Sequence, residues 1–347
     1  MTMTLPAMFP ATGVGSLPHR DPAKAVAAVL GRFREVPYWP QLPRRTFLES
    51  MYVQFASGLP AAAIDGEKLY VEGGDRMMNA AEAFYERFLS EEPGPFSIPA
   101  ERAAGLDALL AAGCGPCLAV KGQVTGPVSF GLTVTDRDKK PIFYDPVGRD
   151  VLVKHLLRVA QWQVGALSRL CRNVILVLDE PYLASVGSAL LSLARDEVVA
   201  ALNEIFNGLP GALCGVHCCA NTDWGLVLST NVRYLSFDAY DYADALMLYS
   251  EEVKGFLGRG GKIAFGIVPT TAEGIGRETP ETLAARMEAI LARFEGRGIP
   301  RDALARAAFV TPACGLGTLS EEEAERAIDL TAALSALLRN RFGASTE

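Results

Sequence analysis

Short apolar segments alternate along the chain with longer segments in which apolar residues recur at helical spacing. Most of the short segments are followed by a Gly, Pro or Asp turn. The predicted strands are Ala11–Ser16, Lys68–Val71, Cys117–Gln123, Val174–Asp179, Ala212–Cys218, Arg233–Asp238, Lys262–Val268 and Ala308–Thr311. Strands that alternate with helices in this way are typical of βαβ units in a parallel sheet, and eight such units predict a closed (β/α)8 barrel.

The helices expected between these strands are Pro22–Phe33, Thr46–Gly58, Ala80–Leu89, Ala100–Ala112, Pro146–Cys171, Ser188–Phe206, Ala243–Leu257 and Thr279–Phe294. A last helix is expected to open at Ser320, where Ser-Glu-Glu-Glu supplies a capping box. No repeat or linker divides the sequence, so residues 1–347 are predicted to form a single TIM barrel domain with extra helices and an insertion near residues 33–67. The alternative is an open doubly wound sheet, but its Gly-x-Gly-x-x-Gly phosphate turn is absent after the first strand.

Composition narrows the classes of function. Half of the 347 residues are apolar, so the chain can bury a large core without a metal or disulfides. With 33 basic and 40 acidic side chains, the chain lacks the Lys/Arg excess that nucleic-acid binding needs. No apolar run is long enough to cross a bilayer, and the first residues do not resemble a secretory signal. A cytoplasmic enzyme with no membrane partner is expected, with its seven cysteines reduced.

Polar side chains fall mainly at the carboxyl ends of the predicted strands, which is the face on which a barrel builds its active site. They are Ser16, Glu72, Gln123, Asp179, Glu180, His217, Cys219, Asp238 and Cys314. His217 and Cys219 are two residues apart on one strand and therefore share a face. Imidazole nitrogen and thiolate sulfur are preferred zinc ligands, and Cys314 offers a third ligand at the same rim. The three residues predict a zinc site; the alternative is that the thiols pack as small apolar groups.

The remaining cysteines and histidines carry less signal. Cys114-Gly115-Pro116-Cys117 has the thioredoxin spacing, but it closes a helix and opens a strand, whereas the redox motif opens a helix that lowers its thiol pKa. No redox role is predicted for it. Cys214 and Cys218 are expected to pack between barrel and helices, and His155 to be structural. His19, in the first βα loop, is near enough to the rim to contact a substrate.

Five motifs occur in a characteristic order. They are Gly13-Val14-Gly15-Ser16-Leu17-Pro18, Val124-Thr125-Gly126-Pro127-Val128, Leu178-Asp179-Glu180-Pro181, His217-Cys218-Cys219 and Pro312-Ala313-Cys314-Gly315-Leu316. Together they resemble the catalytic C-terminal half of cobalamin-independent methionine synthase, within the wider superfamily that includes uroporphyrinogen decarboxylase. The resemblance spans almost the whole chain. The His-x-Cys and Pro-x-Cys-Gly-Leu pair is specific, whereas Thr-Gly-Pro and Asp-Glu-Pro are shared more widely.

The resemblance implies a zinc ion held by His217, Cys219, Cys314 and a carboxylate, with the thiol of homocysteine as the substrate ligand. The family's carboxylate is a Glu, and the matching strand end here carries Asp238, which is one methylene shorter. A bound substrate thiolate would add a further negative charge, so Asp238 is expected to be the labile ligand.

The resemblance also implies how the amino acid is held. Ser16 would bind its carboxylate, and Asp179 and Glu72 its ammonium, so that the sulfur meets the methyl donor in line. The motif around Glu72 is poorly kept. Asp179 and Asp238 are thus the expected catalytic side chains, and Ser16, Glu72, Asp179 and His19 the expected substrate-binding ones.

The sequence departs from the family on the side of the methyl donor. The full-length enzymes have an N-terminal half that helps to bind a polyglutamylated folate, and this sequence has none. Their loop after the seventh strand carries an Asp-x-His that acts in methyl transfer, whereas Gly266–Thr271 contains no His. A methylcorrinoid protein or methylcobalamin is therefore expected as the donor in place of a methylated folate.

Three other functions fit parts of the pattern. The first is methyl transfer from a corrinoid to coenzyme M or another small thiol, which would leave Glu72 and Asp179 without an ammonium to bind. The second is a non-catalytic zinc-binding or ligand-binding barrel, such as a corrinoid-docking subunit. The third is a metal-free decarboxylase acting on porphyrins, but the rim motifs offer mainly His19 and Arg20 for the many substrate carboxylates.

Overall fold

A curled sheet of six parallel strands forms the centre of the computed structural model, which describes residues 8–90, 94–187 and 193–343. The strands follow one another in the sheet in the order of the chain. Numbered from the start of the chain, β1 and β2 form a separate hairpin and β3–β8 form the sheet. Their bounds are β1 (Ala62–Asp65), β2 (Lys68–Val71), β3 (Val120–Thr125), β4 (Val174–Asp179), β5 (Ala212–Cys218), β6 (Tyr234–Asp238), β7 (Lys262–Val268) and β8 (Ala308–Pro312). Six of the eight predicted strands therefore lie in the parallel sheet.

Both faces of this sheet are buried, because side chains alternate between an inner cluster and the layer of helices. On the inner face, Ile175 and Val177 of β4 pack with Leu213, Tyr234 and Phe309 of neighbouring strands. The intervening residues of the same strands pack outward in the main core beneath the helices. This period of two decides which polar residues at the strand ends face the inside.

The segment 9–17, in which the first strand was predicted, runs along the edge of β8 without forming a regular strand. The amide of Thr12 donates to the carbonyl of Val310 (3.1 Å), and the amide of Val310 donates to the carbonyl of Pro10 (3.1 Å). Ala11 pairs with Val310 in a parallel bridge. The segment thus occupies the predicted place beside the last strand.

The prediction that Lys68–Val71 is the second strand of the barrel is wrong, because the segment 36–41 lies at that position. The amide of Lys121 on β3 donates to the carbonyl of Pro37 (2.8 Å), and Leu17 donates to the carbonyl of Gln41 (2.9 Å). Two irregular segments therefore lie between the edge strands β8 and β3, and a full eight-stranded barrel is not confirmed.

Lys68–Val71 instead pairs antiparallel with β1 through a two-residue turn. Asp65 lies opposite Lys68 in that pairing, and the turn residue Gly66 has a φ of 58°. Gly at the first position of a two-residue loop, as Gly66 is here before Glu67, is a hairpin signal, and it outweighs the βα pattern at this point.

Helices cover the sheet. They are α1 (Pro22–Arg32), α2 (Gly74–Leu89), α3 (Ala104–Ala112), α4 (Pro127–Thr133), α5 (Pro146–Leu167), α6 (Arg195–Asn207), α7 (Trp224–Leu228), α8 (Ala239–Met247), α9 (Ser250–Gly258), α10 (Ala272–Arg277), α11 (Pro280–Glu295), α12 (Arg301–Ala307) and α13 (Glu321–Gly343). None of these described helices has the length and apolar character needed to cross a bilayer.

Several helix predictions differ from the structure. Predicted Ala80–Leu89 begins earlier, at Gly74, and predicted Ala100–Ala112 is a 3-10 turn followed by α3. Thr46–Gly58 forms only two short 3-10 turns, Phe47–Glu49 and Val53–Phe55. Ala243–Leu257 is divided into α8 and α9. The predicted Ser188–Phe206 corresponds to α6, which begins at Arg195, while residues 188–192 lie outside the described residues.

The last helix begins as predicted. Ser320 Oγ accepts the amide of Glu323 (3.2 Å), and the Glu323 carboxylate accepts the amide of Ser320 (2.8 Å). This reciprocal pair is the capping box that the sequence indicates.

Candidate functional site

A cavity of about 470 Å³ lies at the carboxyl ends of the parallel strands. It is lined by Val14, Ser16, Gln41, Pro43, Arg44, Glu49, Met51, Asp179, Pro181, His217, Cys219, Thr270, Cys314, Gly315, Gly317 and Thr318. Five of the residues that the sequence singles out as chemically interesting are among them. The cavity therefore joins strand ends that are distant along the chain.

The register of β4, β5 and β6 places three polar side chains next to one another at the centre of this site. Asp179 on β4 pairs with His217 on β5, and His217 pairs with Ser236 on β6. All three belong to the inner-facing set, because they continue the alternation of the inner cluster. The Nδ1 atom of His217 lies 2.9 Å from Ser236 Oγ, whereas its Nε2 is buried and has no hydrogen-bond partner among the described residues.

Two thiols complete the group around this imidazole. The ligand atoms of His217, Cys219 and Cys314 all lie within 4.8 Å of one another. The neighbouring thiol of Cys314 and imidazole of His217 lower the pKa of the Cys219 thiol to about 4. The hydrogen bond to Cys219 and burial both raise the pKa of the Cys314 thiol.

The donor set fits a zinc ion. Tetrahedral zinc with Zn–S bonds of about 2.3 Å and Zn–N bonds of about 2.0 Å needs ligand atoms about 3.5–3.8 Å apart. The three ligand atoms lie within 4.8 Å of one another. The unpartnered Nε2 of His217 is buried beside the two thiols. A nitrogen and two sulfurs are the ligand types that zinc prefers, and three protein ligands leave one position for substrate.

Asp179 adds an unpaired carboxylate to the cavity. Its side chain is 8% exposed, and Oδ1 has no hydrogen-bond partner among the described residues. Burial raises the pKa of Asp179 to about 6, although His217 and Lys121 oppose that shift. A buried oxygen without a donor favours a ligand that carries N–H groups.

Ser16 ties the first segment to the loop that carries Cys314. Its carbonyl accepts the amide of Leu316 (2.9 Å), and its Oγ accepts the amide of Gly317 (3.3 Å). A Cβ at Gly315 would lie 2.2 Å from Ser16 Oγ, so only glycine permits this approach. The serine lines the cavity where the resemblance implies a carboxylate site.

Glu180 explains why the Thr-Gly-Pro and Asp-Glu-Pro motifs occur together. Its carboxylate accepts the amides of Val128 (2.9 Å) and Ser129 (2.7 Å), at the first turn of α4. A Cβ at Gly126 would lie 2.2 Å from Glu180 Oε1. The two motifs are thus a structural lock between β3 and β4, and Asp179 is held beside it.

Asp238 does not belong to the compact group of three ligands. Its Oδ1 accepts the amide of Asp241 (2.9 Å), which makes it the N-cap of α8. Burial raises its pKa to about 6, and the nearby Cys219 adds to the rise. The residue is therefore close to the site, but one of its oxygens is engaged by the helix.

Two other predicted site residues lie elsewhere. Glu72 follows the β1–β2 hairpin and pairs with Arg137 (2.9 Å), so it is not in the cavity lining. His19 is 1% exposed and its Nε2 lies 3.6 Å from Glu325 on α13. His155 is buried in α5, and its Nε2 lies 2.8 Å from the carbonyl oxygen of Phe55, in agreement with a structural role.

Sequence reasoning missed Glu49. It lies in the insertion, in a 3-10 turn, and is 1% exposed while lining the cavity. Arg45 pairs with it (2.5 Å), and burial raises its pKa although this arginine opposes the rise. The only sequence signal was an acidic residue among apolar neighbours in Phe47-Leu48-Glu49.

No protein-family model matches the chain, and no curated protein matches it. Among solved structures, a B12-independent methionine synthase from Shewanella sp. W3-18-1, in complex with selenomethionine, superposes with a TM-score of 0.62. It is 14% identical, and the match covers 97% of this chain and 100% of that chain. A glucosidase from Croceicoccus marinus matches with a TM-score of 0.45 and 13% identity over 96% of this chain and 70% of that chain, which is too distant to carry an argument. The chain thus has a fold similar to that of the methionine synthase.

Proposed function

We propose that this chain is a zinc-dependent methyltransferase that methylates a small thiol, and that homocysteine is the acceptor, giving methionine. The observation that carries the proposal is the convergence of His217, Cys219 and Cys314 in one cavity. The fold shared with a B12-independent methionine synthase that was solved with selenomethionine supports the acceptor.

The three side chains would hold zinc, and a neighbouring residue orients the imidazole for this role. Ser236 would accept a hydrogen bond from Nδ1 of His217, which directs the lone pair of Nε2 toward Cys219 and Cys314. When bound, zinc supplies a Lewis acid that keeps a substrate thiol deprotonated and nucleophilic near neutral pH.

Two carboxylates lie where they would receive the ammonium of an amino acid. Asp179 presents an unpaired oxygen to the cavity, and Glu49 lies on the same lining. Ser16 would donate a hydrogen bond from its hydroxyl to the carboxylate of that amino acid, since its Oγ accepts the amide of Gly317 and its own O–H remains to donate. Since coenzyme M has no ammonium, the pair of acids favours homocysteine over that acceptor.

The donor is proposed to be a methylated corrinoid. A methylated folate must be protonated at nitrogen as it leaves, whereas a methyl–cobalt bond needs no such acid. Among the described residues, His217 alone of the three histidines lines the cavity, and Thr270 is the residue that the loop after β7 contributes. His19, the other candidate acid from the sequence, is buried against α13.

The test is a methyl-transfer assay with homocysteine and two donors side by side, methylcobalamin and methyltetrahydrofolate. We expect methionine from the first and little or none from the second. Efficient folate-dependent turnover would contradict the donor proposal. Zinc uptake with no methyl transfer to homocysteine or coenzyme M would indicate the non-catalytic alternative.

Variants of the two carboxylates sharpen the acceptor assignment. Asp179→Asn and Glu49→Gln should raise the KM for homocysteine while leaving zinc content unchanged, because they remove charge without touching the metal ligands. With coenzyme M as acceptor, neither variant should raise KM. Equal activity of both variants with homocysteine would show that these acids do not bind its ammonium.

A further inference from the structure

Three cysteines gather at the amino end of β3, at the opposite end of the strand from the metal site. Cys114 and Cys117 flank the turn between α3 and β3, and Cys171 lies in the turn that follows α5. All three are half-buried, whereas Cys214 and Cys218 are fully buried. The cluster is therefore reachable by small molecules from solvent.

The turn after α3 places two of these sulfurs next to each other. Sγ of Cys114 lies 2.9 Å from Sγ of Cys117. Gly113 ends α3 with a φ of 73° and Gly115 follows with a φ of 62°, so two residues in the left-handed region fold the chain back on itself. A disulfide bond is about 2.05 Å long, so the sulfurs need to approach by only about 0.9 Å.

The third thiol packs against the second. Cys171 donates its thiol to the carbonyl of Cys117 (3.5 Å), and Cys114 donates to the carbonyl of Leu170 (3.5 Å). These bonds anchor the turn to the end of α5. Among the described residues, the three sulfurs do not form a compact three-ligand group of the kind seen at His217, which favours disulfide chemistry over a second metal.

We propose that Cys114 and Cys117 form a redox-active dithiol that exchanges with small disulfides, independently of the methyl-transfer site. The sequence does not predict a thioredoxin-like catalyst, because no helix begins at this motif. In the structure, β3 follows the motif. The sulfur geometry instead suits a dithiol that is oxidised once per chain and then reduced again.

The exchange balances in two steps. The thiolate of Cys114 attacks one sulfur of a small disulfide RSSR, forming a Cys114–SR bond and releasing RS⁻. The sulfur of Cys117 then loses its proton and attacks the sulfur of Cys114, which forms the intramolecular disulfide and releases the second RS⁻. The dithiol loses two electrons, RSSR gains them, and the two thiol protons convert both RS⁻ to RSH.

The surroundings assign the order of attack. Burial and the neighbouring thiols of Cys114 and Cys171 raise the pKa of Cys117, which makes it a poor first nucleophile. Cys114 therefore reacts first, and Cys117 resolves the mixed disulfide. Cys171 holds the carbonyl of Cys117 and positions this turn.

The test is oxidation of the purified protein with oxidised glutathione, followed by alkylation and peptide mapping. We expect one Cys114–Cys117 disulfide per chain, a mass loss of about 2 Da and full reversal by reduced glutathione. In the Cys219→Ala, Cys314→Ala double variant, which leaves five of the seven cysteines, titratable thiols in the unfolded protein should fall from five to three.

Single variants assign the two roles. Cys117→Ser should accumulate a glutathione adduct on Cys114, whereas Cys114→Ser should accumulate little adduct at Cys117. A glutathione adduct that persists on Cys114 in the wild-type chain, a Cys117–Cys171 disulfide in its place, or two thiols that stay alkylatable after oxidation would each overturn the proposal.

Discussion

Ser236 lies directly opposite His217 across β5 and β6, and its hydroxyl oxygen is 2.9 Å from Nδ1 of that imidazole. The partner of a ligating histidine's second nitrogen fixes both the tautomer and the orientation of the ring. The strand register therefore sets more than the position of His217. It also decides which nitrogen is available to a metal.

Replacing this serine should weaken metal binding without altering the fold. Ser236→Ala removes the acceptor for Nδ1–H, so we expect zinc affinity to fall about 10- to 100-fold. Competition with a chromophoric chelator measures this. Ser236→Thr keeps the hydroxyl and is the matched control. Unchanged affinity in the alanine variant would mean that Ser236 does not orient His217.

Zinc content should distinguish the two cysteines proposed as ligands, Cys219 and Cys314, from the neighbouring Cys218. Cys219→Ala and Cys314→Ala should each lose most bound zinc while the circular dichroism spectrum is kept, because a core of this size does not depend on a metal. Cys218→Ala, whose thiol packs in the outward core, should retain about one zinc per chain. Zinc retained by all three variants would exclude this metal site.

The role of Asp238 can be decided by one conservative change. Asn is as good an N-cap as Asp, so Asp238→Asn should keep both zinc and stability if the residue mainly caps α8. Asp238→Ala should lose about 1 kcal/mol of unfolding free energy and still bind zinc. Loss of most zinc from the Asn variant would restore Asp238 as the labile ligand that the family resemblance implies.

Gly126 should tolerate no side chain. In Gly126→Ala the new Cβ meets the Glu180 carboxylate at 2.2 Å, so we expect a loss of about 1–3 kcal/mol in chemical denaturation. Gly165→Ala, in the last turn of α5 with open space around the added atom, is the control and should be neutral or stabilising by up to about 1 kcal/mol. Equal stability of the two variants would rule out the proposed lock.

Lys121 should make stability depend on pH in the alkaline range. Burial lowers its pKa to about 8 in the folded chain, against about 10.4 for an unfolded one. Between these values the unfolded chain binds more protons, so the lysine's contribution to the free energy of unfolding should increase as pH rises, by at most about 1.4 kcal/mol per unit.

Urea unfolding of the wild-type chain and of Lys121→Met at pH 8 and pH 10 measures this difference. The methionine variant should lack the extra increase, while Lys24→Met, at an exposed lysine of α1, should retain it. A wild-type curve parallel to that of Lys121→Met would mean that Lys121 stays charged in the folded chain.

The sequence predicted those features that depend on local periodicity. The alternation that buries Val216 and Cys218 outward also turns His217 and Cys219 inward, so a period of two was enough to predict that these two side chains lie on one face. The strand ends then located Asp179 at the same rim. These relations need only neighbouring residues and the rule that parallel strands end on one face.

What the sequence did not predict depends on competition between segments. Lys68–Val71 has strand character, but a two-residue turn pairs it with Ala62–Asp65 before it can reach the sheet. Segment 36–41, which has no clear strand pattern, fills the vacant place, and this displacement carries Glu72 away from the cavity. Glu49 enters the cavity from a loop, where no periodicity identifies the direction of a side chain.

The two irregular segments also protect the sheet from self-association. A sheet of six parallel strands has two edges with unpaired amides and carbonyls, and such edges recruit strands from other molecules. Residues 9–12 satisfy hydrogen bonds along β8, and residues 37–39 satisfy them along β3. Both segments that cover these edges come from the first 41 residues, so proteolytic loss of that stretch would leave two unpaired sheet edges that could template aggregation.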